Sequence, residues 1–160
     1  MSVARFTHVS EEQYESMMAE RGAHLPVEDI PLPRRSTRGS AGYDFVAPAE
    51  TTIPPGGTVL IPTGIRCEME EGWVLLIFPR SSFGLKHGVR LANTTGVIDS
   101  DYARAKNEGH IMVPLRNPSD HEVTILQGER FCQGVLVPFG TAEEEEAFET
   151  RKGGFGSTGK

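Results

Sequence analysis

Residues 43–78 read YDFVAPAETTIPPGGTVLIPTGIRCEMEEGWVLLIF, and this stretch decides the fold. Tyr43, Phe45 and Ala47 alternate with Asp44 and Val46, the period-two pattern of a strand with one face turned to a core. Residues 58–62 and 65–69 flank a Pro-Thr-Gly turn, and residues 73–78 form a continuous apolar run. The same grammar continues in residues 111–115, 123–126 and 131–137. Short strands at regular spacing, separated by Gly, Pro and Asn, predict an all-β fold: an antiparallel sandwich or barrel with a jelly roll as the leading topology. A helical alternative fails on the punctuation.

Outward from this core, residues 10–22 carry a helical signature. Ser10 and Gln13 stand in a capping-box relation, Tyr14, Met17 and Met18 share a face, and Gly22 ends the run. Residues 25–40, LPVEDIPLPRRSTRGS, suit an extended segment lying over the domain, with Arg34, Arg35 and Arg38 on a solvated face. After Phe139 the chain turns acidic and then glycine-rich, ending RKGGFGSTGK. That composition predicts either a disordered tail or a lid that wraps a ligand. A single domain over residues 1–160 is expected: an N-terminal extension with a short helix (1–39), a β core (40–139), and an acidic linker with a flexible glycine-rich tail (140–160).

A formal charge of −6 argues against polymeric nucleic acid as a partner, because binding to a polyphosphate backbone requires clustered Lys and Arg. A single nucleotide held by a few arginines is compatible with it. No apolar run approaches the ~20 residues that span a bilayer, and the N-terminus lacks a signal-peptide pattern, so a cytoplasmic protein with no membrane partner is expected. Cys67 and Cys132 sit in alternating apolar segments without metal-site spacing, which predicts reduced core thiols.

Candidate chemistry falls in five short segments. In NTTGVIDSDY, residues 93–102, an apolar pair predicted to be buried, Val97 and Ile98, hands over to Asp99 and Asp101. A strand there delivers a carboxylate to a pocket edge, where desolvation and fixed neighbours tune acidity; taken alone, the segment reads more readily as a polar turn. In FPRSSFGLKHG, residues 78–88, Arg80, Ser81 and Ser82 supply a guanidinium and two hydroxyls suited to phosphate, or an ordinary turn. Arg130 and Gln133 of QGERFCQG point to the same site or to solvent. Asp44 of SAGYDF binds a metal through water or ties down a strand. Phe155, among glycines in the tail, can stack on a flat ring. Together these are the parts needed to bind and hydrolyse a nucleoside polyphosphate, with no Walker or Rossmann loop present.

In order, SAGYDF, PRSSFGLKHG, NTTGVIDSDY, GERFCQG and GGFGSTG resemble the five motifs of the trimeric deoxyuridine triphosphatase (dUTPase) family, over about three quarters of the chain. The resemblance implies a jelly-roll homotrimer with sites between subunits. It also implies hydrolysis of dUTP to dUMP and pyrophosphate, with Mg2+ bound mainly through the substrate triphosphate. By that resemblance Asp99 is the general base and Tyr102 packs on deoxyribose, excluding a 2′-hydroxyl. Asn93 reads uracil together with backbone groups of Gly96, Val97 and Ile98. Arg80, Ser81, Ser82, Arg130 and Gln133 contact phosphates, and Asp44 stands near the magnesium-water shell. Phe155 stacks on uracil, with Gly156, Ser157 and Thr158 near the phosphates. Two departures from the family pattern stand out. ARAKNE, residues 103–108, is inserted between Tyr102 and Gly109, and the spacing from Arg151 to Phe155 is one residue short. Two other readings compete: a dCTP deaminase of the same fold, and a non-catalytic nucleotide-sensing regulator.

Overall fold

The computed structural model describes residues 2–143. The chain opens with strand β1 (Ala4–His8) and helix α1 (Glu11–Met18), and a 3-10 turn at Val27–Asp29 leads to β2 (Arg34–Arg35) and β3 (Tyr43–Val46). There follow β4 (Thr51–Ile53), β5 (Thr58–Pro62), β6 (Ile65–Met69), β7 (Trp73–Pro79), helix α2 (Ser81–His87), β8 (Arg90–Leu91) and β9 (Gly96–Asp99). A second 3-10 turn, Ser100–Arg104, precedes β10 (Met112–Arg116), β11 (Val123–Ile125) and β12 (Arg130–Pro138). Every pairing is antiparallel. The principal sheet has the order β2-β3-β12-β7-β9, a second has β5-β10-β8, and β1-β6 and β11-β4 close the ends. This is the jelly-roll arrangement expected from the sequence. No described helix is long and apolar enough to cross a membrane.

The apolar runs become strands because each has a face to bury. Phe45, Leu75, Ile77, Ile98 and Cys132 from the principal sheet join Ile61, Leu91, Val113 and Leu115 from the second sheet in one core. Each such side chain contributes roughly 1.5–3 kcal/mol by leaving water. Cys67 and Cys132 are free and buried, as expected. Burial, with Glu68 adding to it, pushes the Cys67 thiol up to about 12, so it is no nucleophile at neutral pH.

Pleating determines what the principal sheet shows to the outside. Val74 pairs with Asp99 and with Val137, Leu76 with Val97 and with Val135, and Phe78 with Gln133, which in turn pairs with Asp44. Directly opposed residues share a face, so this row lies on the side away from Leu75, Ile77 and Ile98. Val97 is therefore 59% exposed while Ile98 is buried. The pair is not buried together as the sequence suggests, because β9 is an edge strand that alternates in and out.

α1 starts where the sequence places it, but only Tyr14 and Met18 are buried, with Met17 half-buried beside them. The Tyr14 hydroxyl donates to Leu25 O at 2.9 Å, which fixes the helix to the segment that follows it. A second helix, α2, stands where the sequence offers a phosphate-suited segment or an ordinary turn and no helix. It buries Phe83 and ends at Gly88, whose φ of +67° supplies the left-handed cap.

Candidate active site

Asp44 is the hub of one cluster. Its place on β3 opposite Gln133 of β12 holds it over the strand ends, where its side chain is only 10% exposed. Oδ1 lies 3.3 Å from Arg80 Nε. Oδ2 lies 3.2 Å from Arg130 Nη1 and accepts from Ser36 Oγ at 2.8 Å. Arg130 Nη1 also donates to Ser36 Oγ at 3.1 Å. One carboxylate thus aims two guanidinium groups, one from the N-cap of α2 and one from the start of β12, which separately are long, flexible side chains.

The cluster borders two cavities. One, of about 510 Å³, is lined by Asp44, Arg80, Ser81, Ser82 and Gln133 among others. Arg80, Ser81, Ser82 and Gln133, four of the residues that the sequence assigned to phosphate, thus share one cavity, and Arg130 is tied to them through Asp44. Arg80 caps α2 and Ser81 begins it, and the Arg80 N–H is tied to Phe131 O at 3.1 Å. The second cavity, of about 610 Å³, adds Arg34 and Arg35 to Arg130 and Asp44. Sequence reasoning left those arginines on a solvated face. Both are exposed; Arg34 pairs with Asp44 through β2-β3, whereas Arg35 pairs with Tyr43 and its guanidinium donates to Arg38 O and Ser40 O. Their position a few residues before SAGYDF was the available signal.

Asp99 is elsewhere. It ends β9 opposite Val74, whereas Arg80 follows Pro79, which pairs with Cys132. Five residue steps along an antiparallel strand separate those positions, roughly 17 Å. Within one chain Asp99 and the Asp44–Arg80–Arg130 cluster lie at opposite ends of β7. Asn93 sits in the turn between β8 and β9, exposed, with Thr94 at φ +71° beside it. Tyr102, in the 3-10 turn after Asp99, is 4% exposed. Its hydroxyl donates to His110 O at 2.9 Å and accepts from Asn107 Nδ2 at 2.7 Å. Phe155, Gly156, Ser157, Thr158 and Arg151 lie outside the described residues.

Among the described residues no group of three or more His, Cys, Asp or Glu side chains is placed to hold a metal. Both oxygens of Asp44 are engaged by Arg80, Arg130 and Ser36. This donor set suits an ion that arrives with a polyphosphate and is touched through water, and does not suit a protein-built cage.

Fold and site together define an antiparallel jelly-roll protein with an arginine-lined cleft organised by Asp44. A family model described as dUTPase matches residues 28–159. A deoxyuridine 5′-triphosphate nucleotidohydrolase of Lactococcus lactis subsp. lactis is 48% identical over 133 residues, 81% of this chain and 89% of the relative. A protein of that name in Finegoldia magna is 42% identical over 136 residues, 81% of this chain and 92% of the relative. A crystal structure of dUTPase from Streptococcus mutans superposes with a TM-score of 0.68 at 36% identity, covering 87% of this chain and 98% of its own. The chain belongs to the dUTPase family.

Proposed function

We propose that this protein hydrolyses dUTP to dUMP and pyrophosphate, limiting uracil in DNA and supplying dUMP for thymidylate synthesis, in the cytoplasm. The observation that carries the reading is the Asp44-organised cleft in a chain of this family. Arg80 lines one cavity with Ser81, Ser82 and Gln133, Arg130 lines the other, and Asp44 holds both guanidiniums, which suits an extended triphosphate of about four negative charges. Magnesium carried by that triphosphate would offset charge at the reacting phosphorus. Asp99 takes a proton from the attacking water, Tyr102 packs on the deoxyribose, and Asn93 with the backbone of residues 96–98 reads uracil. Phe155 covers the base, with Gly156, Ser157 and Thr158 near the phosphates. The reaction needs positioning and charge stabilisation more than covalent chemistry.

The active unit is a homotrimer whose sites form between subunits. Two features support this. Asp99 and the phosphate cluster are held apart along β7, and the face between them is apolar, with Val74, Leu76, Val97, Val135 and Val137 in one row. A second chain laid on that face covers the apolar surface and brings its own Asp99 to the first chain's cleft. Pyrophosphate release from dUTP with magnesium is the direct test. Asp99→Asn should lose at least ~100-fold in turnover, and Asp101→Asn should retain more than Asp99→Asn. Absence of turnover in the unaltered chain, or full turnover in Asp99→Asn, sinks the reading.

A further inference from the structure

The inserted loop, residues 103–108, has its own architecture. Ala103 and Ala105 are buried, Ala105 N–H donates to Tyr102 O at 3.0 Å, and His110 N–H donates to Asn107 O at 3.0 Å. The loop closes through two consecutive left-handed residues, Glu108 at φ +60° and Gly109 at φ +74°. Gly109 is required there, since a Cβ would sit 2.6 Å from Ala103 Cα. Asn107 is therefore held by backbone on both sides, and its own Oδ1 accepts from Gly109 N–H at 3.2 Å. That bond fixes the amide so that Nδ2 faces the Tyr102 hydroxyl at 2.7 Å. The hydroxyl in turn donates to His110 O, and His110 is locked by accepting Gly64 N–H on Nε2 at 2.8 Å.

We propose that Asn107 is a positioning residue for sugar selection: it holds the Tyr102 ring from behind at the distance that admits a 2′-hydrogen and rejects a 2′-hydroxyl. The inference rests on the proposed dUTP hydrolysis and adds to it a residue of the insertion. A ring that selects by contact must be placed to within a fraction of the size of one hydroxyl. A phenol bonded once as donor and once as acceptor can neither swing nor tilt freely, and removing the bond from Asn107 loosens its placement while the bond to His110 O remains. Asn107 is the insertion residue whose side chain bonds the phenol, whereas the Glu108 carboxylate bonds Ser10.

The test uses the full-length chain and compares kcat/KM for dUTP with kcat/KM for UTP, alongside the melting temperature. Asn107→Ala should lower the dUTP-to-UTP ratio roughly fivefold, the worth of one net hydrogen bond. Asn107→Ser, too short to reach the phenol but able to keep a polar group near Gly109, should do the same and serves if the alanine variant misfolds. Tyr102→Phe, which removes both hydroxyl bonds, should lower the ratio at least as much, and adding Asn107→Ala to it should change the ratio no further, because Asn107 acts through the hydroxyl already lost. Ser10→Ala, which loosens the same region without touching the phenol, should leave the ratio unaltered. An unaltered ratio in both Asn107 variants, or full additivity with Tyr102→Phe, overturns the inference while leaving dUTP hydrolysis standing. An unaltered chain that releases no pyrophosphate from dUTP overturns the proposed function and this inference with it.

Discussion

Ser10 and Glu108, 98 residues apart in sequence, are joined twice: the Ser10 N–H donates to Oε2 at 2.7 Å and its hydroxyl donates to Oε1 at 2.6 Å. The same hydroxyl accepts from Gln13 N–H at 3.1 Å. Glu108 thus takes the reciprocal role that a capping box gives to the residue at Gln13, and the inserted loop becomes the cap of α1. These two bonds hold the Glu108 carboxyl below the ordinary carboxylate range. A depressed acid stabilises the fold above its unfolded pKa, and that contribution is lost as pH falls through the folded one. Ser10→Ala should cost about 1–2 kcal/mol at neutral pH, measured as a shift in the urea midpoint. The gap between variant and parent should narrow as the pH is lowered below about 4.5.

His110 adds a second and higher window. It is fully buried, and burial pushes its pKa down to about 4, against a smaller opposing effect of Glu108. The folded ring stays neutral while the unfolded one takes up a proton below about 6.5. Stability is therefore complete above that pH and declines as pH falls toward 4, by an amount on the order of 3 kcal/mol. His110→Gln, which can still accept from Gly64 N–H, should flatten this decline in urea midpoints taken between pH 7 and 4.5. An equally steep decline in the variant would place the titration elsewhere.

Asp44→Asn tests the cleft. The substitution keeps the shape but removes the charge that aims Arg80 and Arg130. Hydrogen bonds to charged groups are worth about 1.5–3 kcal/mol each, so kcat/KM for dUTP should fall by ten- to a hundredfold. Much of the loss should fall on KM, because the freed guanidiniums must be re-ordered by substrate. A variant with KM and kcat both intact would mean that the arginines are held by something other than Asp44.

The strands that build the core were legible because alternation and glycine-proline punctuation act locally: β5 and β6 coincide with the predicted residues. Helix α2 was not. Its sequence, SSFGLKH, has poor helix formers, and what holds it is the burial of Phe83 and the Gly88 cap, which depend on the rest of the fold. Val97 misled because apolarity alone does not say which side of an edge strand a residue takes. The Ser10–Glu108 junction is a long-range pairing with no local signal, and the pairing of Arg34 with Asp44 had only the nearness of the arginines to SAGYDF to announce it. The residues of the site were readable as motifs, but their distribution over the two ends of β7 was not, since strand order and register are properties of the assembled sheet.

That distribution gives the most discriminating experiment on the assembly. Asp99→Asn removes the proposed base at one end of β7, and Arg80→Ala removes a phosphate contact at the other. If one chain supplied both, a mixture of the two inactive variants would stay inactive, because every site would carry one defect. If each site takes Asp99 from one subunit and Arg80 from its neighbour, co-refolded trimers contain sites that draw both native residues from different chains. With random assortment an Asp99 donor and an Arg80 donor are each native with probability one half, so about a quarter of the sites should be intact. Pyrophosphate release should then recover to about a quarter of the parental rate after co-refolding, and should stay at background when the folded variants are mixed without exchange. Recovery on co-refolding locates the site between chains; background activity in a verified mixed oligomer would return it to a single chain and require β9 to move.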